Sequence, residues 1–297
     1  METDPLLMPF TITGVFFTKY NNTYSGFYVE PAEQTKLRHY LKPVLISGLG
    51  IPQPNVRMLE SYRMDGAYFS GLNIPSRSVI LSIPVTGDVQ AKRAELFRTF
   101  SHDPAISRYT CYDLNLELSN NVILSLHKVV LVSITEELHG PRGQFLALTF
   151  LASDPWFYNT TVRQNTWEHT GGFQWDVDQE FDLDIMGTGI AYPTIEVTGV
   201  VYLLRVLNMH THQEIGPLYL QTMEDEVITI VTDPLQERGV FSNIRGNIIS
   251  HVGSNYESAS LDFYLDPGFG ANRIRIIGTA YGTLRVVTTW YDSYLGV

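Results

Sequence analysis

Tyr112, Leu114, Leu116 and Leu118 alternate with Asp113, Asn115 and Glu117, and that period of two is what most narrows the folds open to this chain. Side chains two apart on an extended strand share a face, so this segment puts one face in a core and the other toward water. The same extended character recurs in "FTITGVFF" (10–17), "YSGFYVE" (24–30), "RSVILSIPV" (77–85), "VILSLHKVVLVSIT" (122–135) and "GQFLALTFLA" (143–152). It continues in "FQWDVDQEFDLDI" (173–185), "YPTIEVTGVVYLLRVLN" (192–208), "LYLQT" (218–222), "EVITIVTD" (226–233), "LDFYL" (261–265), "NRIRIIG" (272–278) and "TLRVVTTWYDSYLGV" (283–297). Turn residues divide the runs, among them Asn120-Asn121 and "HGPRGQ" (139–144), where left-handed or proline-fixed backbone angles are well tolerated. Many short strands at close spacing predict a mainly β chain of the sandwich class.

One segment departs from that period. In "GDVQAKRAELFRTFSHDP" Asp88 is a good N-cap, and Val89, Arg93/Ala94, Leu96/Phe97 and Phe100 fall on one helical stripe, with Asp103-Pro104 as the stop. A lone amphipathic helix among strands is expected to cover a sheet face or a subunit contact.

Charge divides the chain. Residues 1–160 hold 13 Lys and Arg against 14 Asp and Glu, whereas residues 161–297 hold 7 Arg and no Lys against 17 Asp and Glu. Such a break predicts two separately built domains. The deficit of clustered cations also argues against tight nucleic-acid binding, which depends on Lys and Arg at phosphates. "FLASDPWFYN" (150–159) lies at the break: Asp154-Pro155 should end the last strand of the first domain, with the aromatics after it packed on that domain's edge. The polar stretch "NTTVRQNTWEHTGG" (159–172) reads as the connection. A single cysteine, Cys111, rules out an internal disulfide framework. "METDPLLMPF" lacks a basic and apolar leader pattern, and no run approaches 18 apolar residues. The chain is therefore expected to be soluble, made in a reducing cytoplasm and without a membrane-spanning helix.

Five groups of residues are candidates for chemistry. His210, His212 and Glu214 stand at i, i+2 and i+4 and could share a strand face around a metal, but their polar surroundings read better as a hairpin tip. The only later histidine, His251, is expected in another loop. The acidic run 176–184 lacks the glycine and spacing of a calcium loop and reads as a solvated face. Glu136-Glu137 and Glu224-Asp225-Glu226 are neighbours at strand ends and read as surface charge rather than a glycosidase pair. Cys111 reads as a core residue. Trp167 and Trp175 could form a sugar platform, although a hydrophobic anchor for the connection fits them better. No GxSxG, P-loop or GxGxxG occurs. No catalytic, cofactor-binding or metal residue is assigned, no enzyme activity is expected, and replacing His210 and His212 by Ala is expected to change stability by at most about 0.5 kcal/mol.

Several marks share one order along the chain: Phe150 with Asp154-Pro155 and Tyr158; Tyr192-Pro193 and Gly199; Pro267-Gly268 with Asn272; and Trp290, Tyr294 and Gly296. In that order and spacing the chain resembles the distal tail protein (Dit) family of long-tailed, siphovirus-type phages over nearly its whole length. The resemblance implies an N-terminal tail-tube-like β-sandwich with one α-helix in residues 1–158, a linker at 159–165, and a C-terminal galectin-like β-sandwich in residues 166–297. It further implies a homo-hexameric ring in the virion, at the tail tip or baseplate. That ring would join the major tail tube protein to the tail hub or tail-tip protein, dock side fibres or receptor-binding proteins, and let DNA pass as cargo. Galectin-like refers to fold alone and confers no sugar binding, and the chain has no room for an inserted carbohydrate module. On this reading residues 1–158 would assemble without the rest, and the acidic half would decorate the outside. The alternatives are another β-sandwich baseplate or fibre-docking component, a glycan-binding module, and a hydrolase around His210 and His212.

Overall fold

A computed structural model of the chain describes residues 11–19, 39–41, 43, 45–60, 67–85, 87–100, 111–138, 144–234, 236–253, 261–269 and 271–296. The strand expected over 24–30, the turn over 139–143, the helix stop at Asp103-Pro104 and the first ten residues lie outside these. The chain forms two compact units: one is built from Pro5–Thr160 together with Tyr294–Val297, the other from Thr161–Ser293.

The first unit contains β1 (Ile12–Lys19), β2 (His39–Leu41), β3 (Leu45–Ser47), β4 (Asn55–Glu60), β5 (Ala67–Asn73) and β6 (Arg77–Val85). After helix α1 (Val89–Phe100) come β7 (Tyr112–Leu118), β8 (Ile123–Leu138), β9 (Gln144–Ala152) and β10 (Phe157–Asn159). An antiparallel sheet runs in the order β2-β1-β7-β8-β9-β6-β3, and β4 and β5 form a separate hairpin. The alternation on β7 works as expected on one side: Tyr112, Leu114, Leu116 and Leu118 are buried. The other side departs at Asn115, which is only 5% exposed. Its amide donates to the Thr18 hydroxyl and the Asp113 carbonyl, 3.1 Å each, so a buried polar group stays satisfied. Between β7 and β8 the turn closes through Leu118 N to Val122 O, and Asn121 adopts φ +63°.

Helix α1 begins where the sequence puts it. The Asp88 Oδ1 accepts from the amides of Gln90 at 2.8 Å and Ala91 at 3.2 Å, occupying two of the otherwise unbonded donors of the first turn. Leu96 and Phe100 are buried, and Phe100 joins Phe17, Tyr112 and Phe150 in an aromatic core with centroid separations of 4.6–6.3 Å, edge-to-face except for the tilted pair Phe17 and Phe150. Phe97 corrects the expected stripe: at 100° per residue it turns out of the face that holds Leu96 and Phe100, is 42% exposed, and lies under the Arg93 guanidinium.

The second unit contains β11 (Arg163–Thr170), β12 (Trp175–Asp184), β13 (Thr194–Asn208), β14 (Gln213–Leu218), β15 (Val227–Val231), β16 (Gly239–Ser242), β17 (Gly246–Asn247) and β18 (Ala271–Trp290), and the two-residue β19 (Ser293–Tyr294) follows it. The sheet order is β11-β18-β13-β15-β16-β17, with β12 also on β18 and β14 on β13. The runs expected as separate strands at 272–278 and 283–297 are one bent strand. Residues 271–280 of β18 pair with β12, and residues 283–290 pair with β11. β13 bends beside it, with register shifts at 198/200 and 202/205 and positive φ at Gly199 and Leu203. Two bent strands thus carry both faces of one core, which includes Val197, Ile276, Phe263, Leu265, Val286 and Trp290.

Three further expectations change in this unit. Much of the polar stretch at 159–172, read as a connection, is strand β11: its residues alternate in exposure at the sheet margin, where polar side chains are tolerated. Strand β14 ends at Leu218, before most of "LYLQT", and it runs through Gly216-Pro217, a pair that reads in sequence as a breaker. The run "LDFYL" makes only an isolated bridge, Ala191 to Leu265, although Phe263 and Leu265 are fully buried. The molecule is mainly β, with two antiparallel sheets of β-sandwich architecture and, among the described residues, one α-helix.

Candidate functional site

The histidine group sits at a hairpin tip. The Nδ1 of His210 accepts the Arg273 amide at 3.1 Å, Glu214 pairs with Arg205 at 2.6 Å, and His212 is exposed with φ +57°. Asn208 organises the tip: its Oδ1 accepts from the amides of His210 and Thr211, and its Nδ2 donates to Tyr264 O. These bonds are those of a turn, and they direct the His210 imidazole and the Glu214 carboxylate to separate partners.

The acidic residues of β12 form an exposed row facing two arginines of β18. Arg275 binds Asp178 through two nitrogens at 2.6 and 2.7 Å, and Arg273 reaches Asp182 at 3.1 Å. Hydrogen bonding to Arg275 holds the Asp178 carboxyl below its usual range. Glu136 accepts from Gln90 at 2.8 Å and lies 3.6 Å from Arg93. Glu226 is the surprise of its trio. It is fully buried, takes the amide of Met223 and the hydroxyl of Ser242, and pairs with Arg245 at 3.1 Å. Cys111 is half-buried just before β7, and burial pushes its thiol pKa up. Trp167 and Trp175 pack against the second core with His169 beside both, and the Trp175 indole donates to Gly282 O at 3.1 Å.

The marks of the resemblance are structural positions. The Asp154 carboxylate accepts from Trp156 N at 3.2 Å and Tyr158 OH at 2.8 Å, and Phe157 enters the first core. Asn272, fully buried, donates to Asp266 O and accepts from Asp266 N, both at 2.9 Å, which closes the turn through Pro267-Gly268. Trp290 and Tyr294 belong to different cores: Trp290 to the second unit, Tyr294 to the first.

Sequence reading missed the densest polar constellation. Arg77, 2% exposed, opens β6 and donates to four backbone carbonyls: Pro155 O at 2.7 Å, Gly48 O at 2.7 Å, Gly50 O at 2.8 Å, and Leu295 O. Its guanidinium lies 4.7 Å from the Phe157 ring centroid. Burial lowers its pKa to about 10, with nearby Asp154 acting in the opposite sense, so the group is cationic at neutral pH. A lone arginine at a strand start carries no sequence signal for this, because all four acceptors are backbone atoms from remote segments.

No protein-family model matches this chain, and neither does any curated protein sequence. Solved structures do. The SPP1 Dit protein (gp 19.1), a paradigm of the hub adsorption apparatus in phages infecting Gram-positive bacteria, aligns over 94% of this chain and 98% of its own, at TM-score 0.58 and 12% identity. The chain has the fold of a phage Dit protein. The phage P2 baseplate in its activated conformation with Ca aligns over 94% of this chain and 98% of its own, at a TM-score of only 0.42 and 9% identity. At such identities the Dit likeness concerns the path of the backbone.

Proposed function

We propose that this protein is a structural component of a phage tail, a Dit-type adaptor at the far end of the tail tube. The observation that carries this reading is the end-to-end likeness to SPP1 Dit, through both units rather than one. The ordered marks from Phe150 to Gly296 support it, since in this molecule they hold turns and cores. So do the bonds of His210, Glu214 and Glu226, which serve local architecture. The protein acts by assembly: six copies close a ring between the major tail tube protein and the tail hub or tail-tip protein, DNA passes through the centre, and no catalysis is involved. The first unit builds the ring. The second unit, net −10 over residues 161–297 and galectin-like in fold only, lies outside it, where side fibres or receptor-binding proteins dock.

The test is assembly of the intact protein. Light scattering behind size exclusion should find a species of roughly 200 kDa, six copies of 33.6 kDa, and negative-stain images should show six-fold rings. A monomer or dimer at every concentration, with no rings in tail extracts, would overturn the reading.

A further inference from the structure

The first unit is not completed by the chain that comes before the second. Its closing pieces are Tyr294, Leu295 and Gly296, which follow the second unit in sequence. Strand β10 has β8 on one side and β19 on the other, so the slot beside β10 is filled only after residue 293 has been made. Tyr294 is fully buried in the first core, among residues contributed by β1, β6, β7, β8 and β9. Leu295 supplies one of the four carbonyls around the Arg77 guanidinium. Gly296 lies against the turn after β3, where a Cβ would stand 3.0 Å from Ile51 N. That turn is fixed in its own right: Gly48 has φ +86°, and a Cβ there would collide with the Ser78 carbonyl.

We propose that the first unit carries a strand-addition slot whose ligand is the chain's own segment 293–297, and that this unit closes only when that segment docks. Extended peptides bind sheet edges by main-chain hydrogen bonds, with alternate side chains entering pockets. Here the backbone edge is β10, the deep pocket takes an aromatic ring, and the last contact leaves little room beyond a glycine. Arg77 is the positioning residue of the slot. Without the tail, its buried fork loses one acceptor and the core loses the Tyr294 ring. A planar guanidinium can serve four carbonyls at once, whereas a lysine ammonium has three donors and no fork. A chain truncated after Tyr158 therefore lacks part of its own first unit, independently of any ability to form rings.

Hydrogen exchange read by mass spectrometry on the full-length protein tests this, using a variant lacking residues 294–297, Tyr294→Ala and Arg77→Lys. Loss of the tail should speed exchange at least tenfold in peptides covering 45–51 and 157–159, while peptides from 194–208 and 227–231 stay unchanged. Added Ser-Tyr-Leu-Gly-Val should restore protection saturably, and the same peptide with Ala for Tyr should not. Tyr294→Ala and Arg77→Lys, which keep the tail, should show the same regional increase to a smaller degree. Three results would overturn the proposal: unchanged exchange near the slot in all three variants, equal acceleration in both units, or no rescue of the shortened protein by the peptide. If the shortened protein cannot be purified, the two point variants decide alone, by the presence or absence of the regional increase.

Discussion

At the scale of single residues, polar side chains in this protein act as fasteners for backbone. Arg77 ties four carbonyls, Asp88 two amides, Asn208 two amides and a carbonyl, and Asn272 both polar groups of Asp266. Asp88→Ala leaves first-turn donors of α1 without a protein acceptor and should cost about 1 kcal/mol, seen as a lower denaturant midpoint at constant slope. At the hairpin tip the structure refines the sequence estimate. His210→Ala removes an acceptor from the Arg273 amide and should cost about 1 kcal/mol. His212→Gly relieves a positive φ and should stabilise by about 0.5 kcal/mol. Cys111 gives a pH prediction. Burial raises its folded pKa above the ordinary thiol value, so the folded protein holds less thiolate than the unfolded chain at neutral pH. Iodoacetamide should label the native protein more slowly than the protein in urea at pH 7.5, and native labelling should accelerate as pH rises through the ordinary thiol range.

At the scale of elements, the second unit depends on bending two strands together. The bend was legible only as glycines and a break between "NRIRIIG" and "TLRVVTTW"; whether such a break is a turn or a corner depends on the partner strand. Gly199 and Gly282 separate the two causes of strain. At Gly199, φ is +121° and a Cβ would collide with the Thr283 carbonyl, while at Gly282, φ is +68° with open space around it. Gly282→Ala should therefore cost about 1 kcal/mol, the price of a left-handed alanine. Gly199→Ala adds a backbone clash and should cost about 3 kcal/mol. Thermal or denaturant unfolding of both variants gives the comparison, and equal costs would show that the Thr283 contact relaxes freely. Strand β12 shows a different economy of design. It carries an exposed carboxylate row and pairs only with β18 among the described residues, and charge along such an edge discourages pairing with a second copy.

At the scale of the whole molecule, charge bears on assembly. Copies carrying a net −10 in the second unit repel one another at low salt, and the repulsion is screened within about 8–10 Å near physiological ionic strength. If rings form as proposed, raising sodium chloride from about 0.05 to 0.5 M should shift the size-exclusion profile toward the ring. A shift toward monomer would mean that attractive ion pairs, rather than apolar contacts, hold the copies together.

The sequence by itself determined what depends on near neighbours. Period-two alternation set the face of β7, and a capping carboxylate set the start of α1. These are local properties, fixed by backbone sterics and by the first turn of a helix. Tertiary structure alone decided which core Tyr294 belongs to, that Arg77 and Glu226 are buried, and that two expected strands are one bent strand. Each of these rests on groups brought together across tens to hundreds of residues. The acceptors are mostly backbone carbonyls, which every residue carries, so no side-chain pattern can announce them. Tyr294 shows the limit most simply: in sequence it follows Trp290 in one aromatic run, and in space it fills the core of the other unit.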